Sequence, residues 1–363
     1  MTLESERAGQ HPSMGNELVV VVRLLKDVVK HPSGMFSFIT GRGEVPLSAS
    51  IDIAANCNLR CQHCYLYGKD HQEEGIADEM FLEAVKQFKK DYPAVLHCAW
   101  VGGEPLLRKE VLRKCVGFFQ ANWVVTNGTI PIDGKWPNTS FNISIDGTEE
   151  IHNQIRQPWK SSKQVQSAES PMLGEKQEAS LPVKWNVYQR AKQNANKSTA
   201  PVYVHTVINQ LNMPVISELV AEWKETTTVR GFVFSLHTPQ FVPERKSGMT
   251  ENDERLFIPL EQRRDVVAIL HRLKSQYGKF IIMTPSEIEN YLPERLERVF
   301  DTKCRVVGTV VSMDAKFQRK TPCVMGEGID CSKCGCIVPA IMERVKSFDR
   351  EVIVESLIAP ITR

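Results

Sequence analysis

Three thiols fall within eight residues in the stretch Ile53-Ala-Ala-Asn-Cys57-Asn-Leu-Arg-Cys61-Gln-His-Cys64-Tyr65. So short a loop cannot pair them as disulfides, because one would be left over. Soft thiolates select zinc, copper(I) or iron–sulfur centres. A structural zinc site wants four closed ligands, whereas this loop offers three, with His63 the only other nearby donor. Three thiolates on a four-iron cube leave one iron without a protein ligand. Such an iron can take a substrate or cofactor and pass it an electron.

The elements around the loop must hold those thiols in place. The alternating run Ser48–Ile53 reads as a strand, so the cysteines leave its C-terminal end. A helix over Asp78–Asp91 follows, then a strand over Val95–Val101 that runs into Gly102-Gly-Glu-Pro105. The two glycines allow close backbone approach to a ligand, and the Glu104 carboxylate can accept from an ammonium group. The alternation continues with a helix over Lys109–Gln120 and a strand over Trp123–Thr126 that turns at Asn127-Gly128. Next come a strand over Ser140–Ile145 ending in Asp146-Gly147, a strand over Pro201–Ile208, a helix over Val215–Lys224 and a strand over Gly231–Pro239. Repeated strand–helix units imply an α/β fold of parallel strands with right-handed crossovers. Ligands gather at the C-terminal strand ends of such sheets, where the cysteine loop, Gly102–Pro105, Asn127-Gly128 and Ser144–Gly147 all fall. His205 and His237 lie on strands and can move protons near neutral pH, though strand histidines more often pack or hydrogen-bond; His237, at a strand end, is the better candidate.

Cys-x3-Cys-x2-Cys followed by an aromatic (Cys57, Cys61, Cys64, Tyr65) resembles the signature of the radical S-adenosylmethionine (SAM) superfamily. The resemblance implies a catalytic 4Fe-4S cluster on those three cysteines, with SAM chelated at the open iron. It further implies reductive cleavage to a 5′-deoxyadenosyl radical that takes hydrogen from a substrate. Gly102, Gly103, Glu104 and Pro105 resemble the family's motif for the SAM amino group. Tyr65, Asn127, Ser144 and Asp146 would also meet SAM. The Ser144–Gly147 segment followed by Ile151-His152-Asn153 is similar to the peptide-modifying and sulfatase-maturing branches. Six units counted from Ser48 match the family's partial (β/α)6 barrel. A low-potential donor, flavodoxin or ferredoxin, is implied as partner.

A second cysteine region runs from Cys304 to Cys336. Val306–Met313 and Phe317–Lys320 flank Asp314-Ala-Lys316 as a hairpin would, bringing Cys304 and Cys323 together. With Cys331, Cys334 and Cys336, and Gly326, Gly328 and Gly335 to allow tight wrapping, this region suggests a second metal centre. It resembles the shortened auxiliary-cluster (twitch-like) domain of some radical SAM enzymes. Zinc is the alternative. Cys336 is the first of the five to set aside. Cys98 and Cys115 read as ordinary buried thiols.

The remaining organisation follows. Residues 1–15 read as a disordered arm, and 16–47 as a helix over Leu18–Lys30 with a connector. The core spans 48–240, a helical connector 241–303, and the cysteine-rich region with its tail 304–363. Within the core, the Ser/Gln/Lys/Glu-rich stretch 157–181 reads as an inserted mobile loop whose Trp159 could reach over the site. Beyond the connector's first helix, Pro259–Tyr277, a short strand over Phe280–Met283 and a helix over Ser286–Arg298 are expected.

With a net charge of +2 and no long basic run, nothing calls for nucleic acid as a partner. Ten cysteines without a signal sequence argue for a reducing, cytoplasmic setting, and no apolar run is long enough to span a membrane. The expected substrate is a small, sugar-like or natural-product molecule. The alternatives are a peptide or a lipid, or else a non-catalytic iron–sulfur carrier or a zinc-stapled binding module.

Overall fold

The computed structural model describes residues 46, 48–66, 75–158, 186–242, 244, 246, 249–300, 304 and 306–346. The arm 1–15, the N-terminal helix and connector (apart from residue 46), Trp159 and the rest of the insertion, and the tail after residue 346 lie outside the described residues.

Nine strands form among the described residues: β1 (Ser48–Ala54), β2 (Leu59–Cys61), β3 (His97–Gly102), β4 (Ala121–Thr126), β5 (Thr139–Ser144), β6 (Arg156–Pro158), β7 (Val202–Ile208), β8 (Phe232–Leu236) and β9 (Val310–Met313). Seven make one sheet in the order β8-β7-β5-β4-β3-β1-β9, and every neighbouring pair is parallel. The six expected strands lie side by side in chain order, as the partial (β/α)6 barrel requires. The crossovers carry α1 (Asp78–Asp91), α2 (Lys109–Cys115), α3 (Glu149–Ile155), α4 (Val187–Lys197) and α5 (Ile216–Thr226). In α1, Phe81, Val85 and Phe88 recur at helical spacing and are buried, with Asp78 and Glu79 in its first turn and Lys89 and Lys90 in its last, which suits the helix dipole.

Alternation along the strands divides the sheet into two faces. Ile51, Trp100, Val124, Phe141, Val204 and Phe232 are fully buried in the apolar core beneath the helices. Each contributes on the order of 2 kcal/mol by leaving water. Same-face partners on the other side are polar, including Ser144 with His205 and Asn142 with Tyr203.

Several expected elements change form. The helix expected over Lys109–Gln120 stops at Cys115 and continues as a 3-10 turn over Val116–Phe118, where Gly117 loosens the chain. The next helices are α6 (Glu251–Leu256), α7 (Arg263–Tyr277), α8 (Pro285–Glu289), α9 (Pro293–Phe300) and α10 (Ile337–Lys346). The helix expected over Ser286–Arg298 is thus two, because Pro293 cannot continue the first. The strand expected over Phe280–Met283 is one parallel bridge, Ile281 to Phe232. Its continuation is cut short by Thr284, whose side chain caps α8.

The hairpin survives as a tight turn. Asp314 N–H donates to Gln318 O and Lys320 N–H to Ser312 O, with Phe317 at φ +63°. Its first strand, β9, joins the main sheet beside β1 instead of standing apart, so the cysteine-rich region is docked on the barrel edge. Arg156–Pro158 form β6, which pairs antiparallel with β2 inside the cysteine loop.

Candidate functional site

The cysteine loop is held from four sides at the C-terminal rim of the strands. Beneath it, Gly103 N–H donates to Ala54 O (2.7 Å) and Glu104 N–H to Asn56 O (2.9 Å). Gly102 takes φ +114°, and a Cβ on Gly103 would stand 1.9 Å from Asn56 O. The glycines therefore serve close approach of two backbones, where the sequence suggested approach to a ligand.

Glu104 is fully buried. Its Oε1 accepts from Leu106 N–H (3.0 Å) and Thr126 Oγ (2.7 Å), and its Oε2 from Asn127 N–H (2.8 Å). Burial raises its pKa, and these bonds oppose the rise. The carboxylate expected to meet an ammonium group thus joins two strand ends. Asn127 is similarly engaged: its Nδ2 donates to Asn58 Oδ1 (2.8 Å) and lies 3.8 Å from Cys57 Sγ, while its Oδ1 accepts from Thr129.

On the far side, Arg156 stands opposite Cys61 in the β2–β6 ladder. Its Nε donates to Asp146 Oδ2 (2.6 Å) and its NH1 to Cys61 Sγ (3.7 Å). Asp146 Oδ1 accepts from Val207 N–H (3.0 Å). Burial disfavours the Asp146 carboxylate, but Arg156 above all, then His63 and His152, hold its carboxyl down at about 2. His63 Nε2 lies 3.3 Å from Asp146 Oδ2, and its buried Nδ1 has no partner. Burial keeps that ring neutral, with a pKa lowered to about 3. Gln240 closes the fourth side, its Nε2 donating to Cys64 O (3.3 Å) and Tyr65 O (3.1 Å). Burial pushes the Cys61 thiol up to about 12, against the pull of Arg156, and pushes Cys57 well above its ordinary value.

The two strand histidines have partners. His237 Nε2 is 2.6 Å from Asp253 Oδ1, and His205 Nε2 is 2.9 Å from Ser235 Oγ. Ser144 sits beside His205 on the inner face at the same rim.

The second cysteine region abuts the same rim. Gly335 N–H donates to Thr238 Oγ, Leu236 N–H donates to Gly335 O (2.7 Å), and a Cβ on Gly335 would stand 2.3 Å from Leu236 O. Buried Arg263 donates to the carbonyls of Cys334 (2.9 Å) and Lys333 (2.7 Å). Lys320 Nζ meets both Asp52 oxygens at 2.8 Å and lies 5.9 Å from the Tyr65 ring centre. Burial, then Asp52, Cys64, Cys336 and Cys323, raise the Tyr65 pKa, so Tyr65 feels thiols of both cysteine groups. Cys304, Cys323 and Cys331 each raise the pKa of Cys334, after its burial. Cys336 lies on the inner side of this group, toward Tyr65 and Tyr291.

Among the described residues, no group of three or more His, Cys, Asp or Glu converges on a point that could hold a single metal ion. A cube carries each thiolate on a separate iron, so its ligands stand apart. The donor set of the first loop suits that cube: three thiols, a neighbouring histidine turned to Asp146, and no fourth thiol on the loop.

Arg156, Asn58, Thr126, Gln240, Asp253 and Lys320 went unremarked in the sequence. Their partners lie far along the chain, as in the 95-residue separation of Arg156 from Cys61, so no local spacing marks them.

An α/β barrel with three thiols on one loop at its C-terminal rim defines an iron–sulfur barrel enzyme. Residues 51–168, about a third of the chain, match the Radical SAM superfamily. The family's cofactors are a four-iron cluster and SAM. Streptococcus suis SuiB bound to SAM is similar in structure, with TM-score 0.50 and 14% identity, covering 80% of this chain and 62% of SuiB. SuiB bound to precursor peptide SuiA gives TM-score 0.52 at 14% identity, covering 88% of this chain and 67% of SuiB. At that identity the likeness is one of fold. In sequence, 94 residues are 32% identical to the antilisterial bacteriocin subtilosin biosynthesis protein AlbA of Bacillus subtilis (strain 168), which is 24% of this chain and 19% of AlbA. Among the described residues no helix is long and apolar enough to cross a membrane.

Proposed function

We propose that the chain is a radical SAM enzyme acting on a peptide, with its catalytic cluster on Cys57, Cys61 and Cys64. The observation that carries the substrate class is the AlbA stretch, since AlbA serves bacteriocin biosynthesis. The fold shared with SuiB, whose complex contains a precursor peptide, agrees with it. The sugar-like small molecule expected from the sequence has no such support.

When bound, the cluster and SAM supply radical abstraction of a hydrogen atom. The chain's own residues prepare the rim for it. Gly102 and Gly103 bring β3 against the entry to the loop, and Glu104 ties that turn to Thr126 and Asn127. Glu104, Asn127, Ser144 and Asp146, with the Gly102–Gly103 backbone, are the rim groups that would meet SAM. The paired Asp146 and neutral His63 keep that side polar without an uncompensated charge. Among Cys304, Cys323, Cys331, Cys334 and Cys336, four would hold a second cluster, and Lys320 and Tyr65 separate it from the first. The one-electron reductant is a low-potential flavodoxin or ferredoxin.

The test is iron and sulfide content after anaerobic reconstitution, followed by 5′-deoxyadenosine formation. Wild type should hold about eight irons and the Cys57→Ala/Cys61→Ala/Cys64→Ala variant about four, without SAM cleavage. Deoxyadenosine release should rise with precursor-type peptides and not with a panel of aminosugars. The reverse preference would return the enzyme to small molecules, and no iron in wild type would end the radical reading.

A further inference from the structure

The thiols of the first loop are not solvated alike by the protein. Cys57 Sγ receives neutral donors, Leu59 N–H (3.4 Å) and Asn127 Nδ2 (3.8 Å). Cys61 Sγ receives a guanidinium, Arg156 NH1 at 3.7 Å. That contact is built in rather than incidental. The β2–β6 ladder sets Arg156 directly across from Cys61. Asp146 fixes Nε at 2.6 Å, and NH2 lies 3.4 Å from His63 Nε2. Arg156 is 8% exposed and Asp146 fully buried, so water does not screen the pair.

Reducing an iron–sulfur cluster by one electron adds negative charge that is shared with its sulfurs. A hydrogen bond or positive charge at a ligating sulfur stabilises the reduced form and raises the potential. A buried carboxylate behind that charge weakens its effect. Resting on the reading that Cys61 ligates the cluster, we infer that Arg156 is a positioning residue that tunes this cluster's reduction potential through the Cys61 sulfur, with Asp146 as its counterweight. Arginine suits the task because one planar fork reaches a carboxylate and a sulfur together. Lysine carries the charge without the fork.

The two residues should therefore move the potential in opposite directions. The experiment is an anaerobic redox titration of the full-length, reconstituted protein with viologen mediators. It follows the electron-paramagnetic signal that is missing from the Cys57→Ala/Cys61→Ala/Cys64→Ala variant. Arg156→Gln should shift the midpoint to more negative values, and Asp146→Asn to less negative ones. Arg156→Lys should fall between wild type and Arg156→Gln. Midpoints all equal to wild type, or shifted in one common direction, would overturn the inference while leaving the cysteine ligands in place. Should none of the three variants hold the cluster while helical circular dichroism is retained, Arg156 is a structural clamp on β2 and the inference is likewise overturned. A wild type with no such signal removes the underlying ligand reading instead, and the inference with it.

Discussion

The two cysteine regions are built on opposite plans. In the first, three thiols occupy eight residues, and each flank is secured to a different strand of the barrel through β6, Asn127, Gln240 or the Gly102–Glu104 turn. In the second, five thiols are spread over 33 residues with one short strand, a 3-10 turn at Cys331–Lys333, and Gly326 and Gly328 at positive φ. Cys331 is exposed. Its thiols meet backbone donors of the coil itself: Cys334 Sγ accepts from Cys336 N–H (3.4 Å), Cys304 from Val306 and Val307, and Cys336 from Val338. A site fixed by the scaffold keeps its shape without metal. A site wound from coil takes its shape largely from the metal it binds. The difference teaches that neighbouring cysteine sites on one rim can depend on the fold to very different extents.

The largest effect should come from Gly103→Ala, whose Cβ meets the Asn56 carbonyl. Backbone stands on both sides, so the first loop must move, and loss of its cluster and of SAM cleavage is expected by iron analysis and deoxyadenosine release. Gly335→Ala is the matching break in the second region, against Leu236 O. It should remove about half the iron while leaving SAM binding by the first site measurable. If both variants lost all iron, the regions would form one unit and the contrast would fail. Removing metal from wild type should open 324–330 to protease before any site within 48–61.

Lys320→Met tests the link between the regions. It breaks the buried Lys320–Asp52 ion pair, and a loss of ~3–5 kcal/mol in denaturant unfolding is expected. A smaller effect belongs to the opposite end of the strands. His97 accepts or donates at Nδ1 to Ser48 Oγ (2.9 Å), and burial lowers its pKa to about 4. The unfolded chain takes that proton first, near pH 6.5. The contribution of neutral His97 is therefore full above pH 6.5 and is lost as pH falls toward about 4, by at most ~3 kcal/mol. His97→Gln should flatten that part of the stability profile. Thr126→Val, which removes one donor from Glu104, should cost ~2 kcal/mol and lower SAM affinity only modestly.

Legibility in the sequence followed the range of the interactions. β1, β3, β4, β5, β7 and β8 announce themselves as apolar or alternating runs ending in glycine or polar turns, and those periods are local. The cysteine spacing is local too. Failures came where distant residues decide the outcome. Nothing in Arg156-Gln-Pro158 marks a strand until its partner, Leu59–Cys61, is known. Val310–Met313 looks the same whether it pairs with its own hairpin or with β1. Thr126 and Asn127, which donate to the Glu104 carboxylate, are likewise marked by no local spacing. Pro293 is local and plain in the sequence, and with no N–H to donate it ends one helix and opens the next.

The pairing of β9 with β1 has a consequence for the order of events during synthesis. Asp52 and Lys320 meet across 268 residues of chain, so this contact is among the last a growing polypeptide can make. Until residue 313 has emerged, β1 keeps one edge unpaired, and closing so long a loop is entropically costly and slow. The strand that presents Cys57 is thus made early and finished late. A nascent barrel therefore carries its first cysteine loop complete in sequence while the β1 flank beside it is still open.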